Sequence, residues 1–299
     1  MKIAIIGTGI FAIATASLLD KNLDNFTIIG RDKNQLDDLK TGNCNPKYSN
    51  YKIKATLNTE LLDDCNFNNY DILFYCLPTL ALNNRYLSTN SLIVFTCKGF
   101  RENFLFESVK NYVLLSGPSY ANELISEKYT SFTVSSFSLK NCEIISRLIK
   151  TKYCLLYTSL CPKSIELFGI FKNIISIGCG LINELDMGKN VEASFIIKFL
   201  DNIYKTFDIN KSELYQPAGI GDIYLSCSVN SRNYRFGKNL IYKTNKIPNN
   251  TTLEGLDSLK QLNSKLKDNL INLFYDLIMN CPVLSPNEIK NKIINLLNY

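Results

Sequence analysis

The chain has 299 residues, room for two domains and a core that needs no staples. With 46% hydrophobic and 20% charged residues it is globular, and a net charge of +6 spread without any Lys/Arg block leaves no footprint for nucleic acid. Histidine is absent and the 10 cysteines are singles, so no metal site is expected and proton transfer falls to Lys, Asp, Glu, Tyr or Cys.

In chain order, residues 2–6 read as a buried strand, 10–19 as a helix and 26–29 as a second strand. A strand is expected at 52–56, and residues 58–65 open with helix-capping residues. Strands follow at 72–76, 92–96 and 112–115, with a short helix at 79–86 after Pro78; 131–135 and 154–157 extend the sheet. From Pro162 onward helical spacing takes over, at 164–185, 191–207, 232–242, 252–262, 265–279 and 286–297. The apolar run to Leu19, with Ala14-Thr15-Ala16, has the look of a secretory leader. Gly7 and Gly9 interrupt it and a β-like segment follows, so it is read as part of the fold. No other stretch reads as the ~18 or more uncharged apolar residues that a membrane span needs. Unpaired cysteines inside apolar runs point to reduced thiols and a cytoplasmic protein.

The first motif is Gly7-Thr8-Gly9-Ile10-Phe11-Ala12, placed after a strand and at the start of a helix. Gly7 permits the tight turn, Gly9 lets backbone approach a pyrophosphate, and the helix N-terminus offers free amides. Ala12 stands where a third glycine is usual. With the alternating strands and helices, this predicts a Rossmann-type, doubly wound parallel sheet at 1–160 followed by an all-helical domain at 161–299. The second strand ends in Gly30-Arg31-Asp32: an acid there suits the free ribose of NAD, an arginine the 2′-phosphate of NADP. The order favours NADP or use of both.

Lys98, in Thr96-Cys97-Lys98-Gly99, and the turn Gly117-Pro118-Ser119 both follow strands, where ligands of open sheets sit; alone, Lys98 also reads as a solvated loop lysine. Lys172 stands in the strongly apolar 166–174 segment of a helix carrying Gly169, Gly178 and Gly180. It reads equally as a ligand-facing group or as a lysine snorkelling to the surface. Gly219-Ile220-Gly221-Asp222 precedes Ser231-Arg232-Asn233, where Ser231 can cap the helix that Arg232 begins. An arginine beside a helix start makes a phosphate site; a capped surface helix is the plain alternative.

Taken in order, TCKG, LSGPSYANE, ELFGIFKNIISIGCGL, GIGDIYLSC, SRNYRFG and LEG resemble the bacterial NAD(P)-dependent glycerol-3-phosphate dehydrogenase family across residues 3 to 255. The resemblance implies reduction of dihydroxyacetone phosphate to sn-glycerol 3-phosphate, for phospholipid synthesis, with NAD or NADP as cofactor. It implies Lys172 as the proton donor or acceptor. It puts Lys98, Gly117, Ser119, Lys172, Asp222, Ser231, Arg232 and Asn233 at substrate positions. Ile10, Phe11, Arg31, Lys98, Ala121, Arg232, Thr252 and Glu254 fall at cofactor positions, beside Gly7 and Gly9 from the fingerprint. A homodimer is expected by the same analogy. Lys98 near Lys172 would lower one ammonium's pKa by repulsion and desolvation, and Asp222 would orient it. Three features depart from the family pattern: Ala12 stands where the family has glycine, the Asp222–Ser231 spacing is one residue short and the C-terminal region is trimmed. The alternatives are a ketopantoate-reductase-like or hydroxyacyl-CoA dehydrogenase, the latter needing a histidine this chain lacks, and a catalytically silent dinucleotide-binding sensor.

Overall fold

The computed structural model describes residues 1–41, 51–100, 102–242 and 253–299. They form two compact units. The first comprises Met1–Cys97, Leu105–Ile165 and Gln216–Ala218; the second comprises Lys98–Phe104, Glu166–Tyr215 and Gly219–Tyr299. Lys98, which follows a strand of the first unit, belongs to the second.

The first unit is an eight-stranded sheet with helices. In chain order it contains β1 (Ile3–Ile6), α1 (Ile10–Leu19), β2 (Asn25–Gly30), α2 (Lys33–Thr41), β3 (Thr56–Leu61), β4 (Ile72–Tyr75) and α3 (Asn84–Leu87). There follow β5 (Leu92–Phe95), α4 (Leu105–Ser108), β6 (Tyr112–Ser116), α5 (Ala121–Ile125), β7 (Thr130–Ser135), α6 (Leu139–Ile149) and β8 (Cys154–Ser159). The strand order is β3-β2-β1-β4-β5-β6-β7-β8. It reverses direction around β1, and such a switch point is where open sheets bind ligands. Ile3, Ile5, Phe26, Ile28, Phe74, Val94 and Val113 pack with Ala12, Ala14 and Leu18 of α1 in one apolar core. Tyr75, Phe95 and Tyr112 form a separate row of rings, with centroids 5.7 and 6.0 Å apart.

Three expectations need correction. The sheet is not wholly parallel, since β7 runs antiparallel to β6. A buried apolar strand reads alike in either direction, so sequence carried no sign of the reversal. The third strand is Thr56–Leu61, not 52–56, and it replaces the helix start read at 58–65. It pairs with β2 along its whole length, from Asn25↔Thr56 to Gly30↔Leu61. The polar side chains of this edge strand imitate capping residues. The helix expected at 79–86 is a 3-10 turn, Thr79–Ala81, followed by the single turn of α3.

The second unit is helical: α7 (Pro162–Glu184, from Glu166), α8 (Lys189–Phe207), α9 (Asp222–Ser226), α10 (Arg232–Asn239), α11 (Glu254–Lys265), α12 (Asn269–Asn280) and α13 (Pro286–Asn298). By length and composition α7 could cross a membrane, but its apolar window is wholly buried inside the protein. It is the core helix. Gly180 lets α10 come close, because a Cβ there would land on the Tyr234 carbonyl; Gly237 of α10 does the same against Ile177. Asp268 separates α11 from α12 by capping the latter, its Oδ1 accepting the Ile271 N–H at 3.0 Å.

Candidate functional site

In the first unit, the glycine turn has the geometry that a dinucleotide needs. Gly7 adopts φ +123°, which favours glycine, and a Cβ on Gly9 would meet nothing within 4 Å. Gly9 is the N-cap of α1 without a side-chain cap, and no acidic residue occupies the first turn, where Ile10 and Phe11 sit. The amides of that turn and the positive end of the helix dipole are thus left for an anion. Arg31 is exposed at the tip of β2. Asp32 beside it is engaged in capping α2, its Oδ1 accepting the N–H groups of Asn34 at 2.9 Å and Gln35 at 3.3 Å. These features fit a dinucleotide cofactor. Gly117 follows β6 so closely packed that a Cβ would strike the Ser131 carbonyl. Ser119 Oγ is buried without a hydrogen-bond partner among the described residues, and Ala121 opens α5.

The second unit holds a denser constellation. Asp222, 2% exposed, begins α9 and divides its carboxylate between two lysines. Lys172 Nζ lies 2.6 Å from Oδ1 and Lys98 Nζ lies 2.6 Å from Oδ2. Lys172 does not snorkel: it is 7% exposed on the core helix α7. Lys98 is not a solvated loop lysine either, with a side chain 14% exposed. Burial pushes the Lys172 pKa down to about 8, against the pull of Asp222 and with the help of Lys98. Burial alone would raise Asp222, but the two ammonium groups hold it below the usual carboxylate range. The result is a desolvated amine that can hold or release a proton near neutrality.

A relay of amides sets this arrangement. Gly255 N–H donates to Asn233 Oδ1 at 3.2 Å, Asn233 Nδ2 donates to Asn173 Oδ1 at 3.0 Å, and Asn173 Nδ2 donates to the Lys98 carbonyl at 2.8 Å. The relay ties α11, α10 and α7 to the backbone of Lys98. Ser231 caps α10, its Oγ accepting from Tyr234 N at 3.5 Å and lying 3.1 Å from Ser176 Oγ. Arg232 is exposed at the first position of α10, and the Glu254 charge helps to hold the Lys172 proton. Thr252 lies outside the described residues. The sequence reading assigned no role to Asn173 and Ser176. Their signal was a buried polar residue on an apolar helix, which must find a partner.

The family model described as NAD-dependent glycerol-3-phosphate dehydrogenase N-terminus matches residues 2–142, and the one for its C-terminus matches residues 162–283. Glycerol-3-phosphate dehydrogenase (NAD(P)+) of Mycoplasma mobile is 30% identical, over 98% of this chain and 96% of its own. The relative of the same description from Halothermothrix orenii is 32% identical over 87% of this chain and 80% of its own. A crystal structure of glycerol-3-phosphate dehydrogenase from Coxiella burnetii shares the fold. Its TM-score is 0.83, covering 100% of this chain and 99% of that one at 22% identity. Glycine turn, lysine pair and capped α10 thus stand within a match that spans both units, and the chain belongs to the NAD-dependent glycerol-3-phosphate dehydrogenase family.

Proposed function

We propose that this chain catalyses the reversible reduction of dihydroxyacetone phosphate to sn-glycerol 3-phosphate, with Lys172 as general acid and, in the reverse direction, general base. The observation that carries the reading is one buried carboxylate shared by two lysines, of which Lys172 has a pKa of about 8. A ketone accepting hydride builds negative charge on its oxygen. The Lys172 ammonium stabilises that charge and delivers the proton that completes the alcohol. Asp222 aims the ammonium, and Lys98 remains as a second cation that keeps the Lys172 proton loosely held. Arg232 and the free N–H groups at the start of α10 take the substrate phosphate, with Ser231 and Asn233 shaping that helix start. Gly117 and Ser119 are further substrate positions on this reading. A bound NAD(P)H supplies the hydride. Gly7, Gly9, Ile10, Phe11 and Arg31 hold it, with Ala121 and Glu254 as further contacts. A reducing, cytoplasmic setting is part of this reading, on the cysteines scattered as singles along the sequence.

The test is NADH and NADPH oxidation by the purified protein on adding dihydroxyacetone phosphate. Tight cofactor binding with no oxidation of either would make the chain a dinucleotide sensor instead. Lys172→Ala should lose at least a hundredfold in kcat, the usual contribution of a positioned acid, with cofactor affinity nearly unchanged. A variant with wild-type kcat would remove Lys172 from the mechanism.

A further inference from the structure

A buried polar atom without a partner is destabilising, so native proteins keep few of them without a use. In the first unit Ser116 Oγ, Ser119 Oγ and Gln216 Oε1 are shielded from solvent and have no hydrogen-bond partner among the described residues. Only Ser119 was expected at a ligand site. All three are carried by segments anchored on one strand, β7. Ser116 ends β6 and stands opposite Thr133 in antiparallel register, so the two side chains share a face of the sheet. The N–H of Ala218 donates to Thr133 Oγ1 at 3.1 Å, which pins Gln216–Ala218 over that same face. The turn that carries Ser119 is held by Gly117 against the Ser131 carbonyl. It is also held by Thr130 Oγ1, which donates to the Pro118 carbonyl at 3.1 Å. Ser116 and the Gln216 segment are thus tied to one face of β7 at Thr133, and the turn that carries Ser119 follows Ser116 within three residues.

We propose that Ser116 and Gln216, together with Ser119, form a contact set for a neutral ligand group that both donates and accepts hydrogen bonds. Two hydroxyls can do either, and an amide oxygen only accepts; that acceptor repels an anion, so a neutral group suits the set. The inference rests on the dehydrogenase reading, which offers two groups of this chemistry. One is the carboxamide of the nicotinamide ring, and the other is the primary hydroxyl of the triose. Gln216 then discriminates by its single acceptor, which rewards a ligand N–H or O–H and penalises an apolar edge.

The experiment uses Ser116→Ala and Gln216→Leu in the full chain, with three readouts: NADPH Kd by fluorescence titration, glycerol 3-phosphate Kd by calorimetry, and the ligand-free Tm. A neutral hydrogen bond corresponds to about a fivefold to tenfold loss of affinity. A loss confined to NADPH assigns the set to the carboxamide, and one confined to glycerol 3-phosphate assigns it to the triose hydroxyl. In either case Ser116→Ala leaves the ligand-free Tm unchanged or higher, because it removes an unsatisfied hydroxyl. Unaltered affinities for both ligands, or a Ser116→Ala protein whose ligand-free Tm falls by several degrees, would overturn the proposal. Wild-type protein that binds neither ligand would sink the dehydrogenase reading first, and this inference with it.

Discussion

Asp222→Asn isolates the electrostatics of the lysine pair, because it keeps the side chain's shape and removes its charge. Two ammonium groups at 2.6 Å would lose their counter-ion inside a site where the carboxylate is 2% exposed. Removing one partner of a buried ion pair costs about 3–5 kcal/mol, so Tm should fall by about 10 °C. The more specific effect is on protonation. In the native protein Lys172 titrates at about 8 with Asp222 raising its pKa; without that charge it should drop by about 1–3 pH units. Reduction of the ketone needs the ammonium, so its kcat/KM declines as pH rises through about 8, whereas oxidation of the alcohol needs the free amine and climbs toward a plateau above about 8. In the variant both limbs should move to about pH 7 or below. At pH 7.5, an assay condition chosen between the two positions, reduction should lose more than oxidation. NADPH consumption with dihydroxyacetone phosphate and NADP+ reduction with glycerol 3-phosphate, each measured across pH, give the two profiles. A folded Asp222→Asn protein whose limbs stay near 8 would refute the idea that Asp222 sets the proton affinity of Lys172.

Two further outcomes follow from other parts of the fold. Arg31 is exposed while Asp32 is engaged as a helix cap, so Arg31→Ala should weaken NADPH by about tenfold or more, as expected for a charge-assisted contact, and NADH much less. Equal losses for the two cofactors, by fluorescence titration, would take the 2′-phosphate away from Arg31. Gly237→Ala places a Cβ on the Ile177 carbonyl, and a backbone oxygen cannot step aside. It should cost about 2 kcal/mol or more and lower Tm by several degrees in calorimetry; an unchanged Tm would mean that α7 and α10 are not held at closest approach.

The parts of the site that were legible in sequence were those with their own local grammar. The turn at Gly7 and Gly9 announces itself through a strand before and a helix after, and Ser231 does so as a cap before Arg232. Lys172 was visible as a charge on an apolar helix, yet its meaning was open, because a snorkelling lysine leaves the same pattern. What closed the question is a partner 50 residues away, Asp222, which no spacing rule connects to it. Asn173 was hidden for the same reason: its amide serves the Lys98 carbonyl 75 residues back. Gln216 belongs to no motif at all. It became visible only as an oxygen left without a donor. The errors in the sheet have a related cause, since strand direction and edge position are decided by pairing, and β3 and β7 carry little of that in their own side chains.

Ion pairs whose lysine reaches solvent show what the lysine pair would do if it were ordinary. Lys189, whose side chain is 75% exposed, pairs with Glu192 and holds its proton more tightly than usual through that hydrogen bond. Lys21, 28% exposed, is raised in the same way by Glu127. Lys172 pairs at the same distance as Lys189, 2.6 Å, and its pKa moves the other way. Two things differ: burial, which penalises the ammonium, and Lys98, which claims half of the carboxylate and adds a like charge. A fall from 10.5 to about 8 amounts, at 1.36 kcal/mol per pH unit, to about 3 kcal/mol that folding must absorb below pH 8. As pH rises from about 8 toward 10.5 the unfolded chain keeps a proton that the folded chain has lost, so this penalty is relieved. A chain with no histidine needs some group that exchanges protons near neutrality. Burying a lysine and giving it half a counter-ion is a physical route to one, and on the proposed mechanism it explains why the strain is kept.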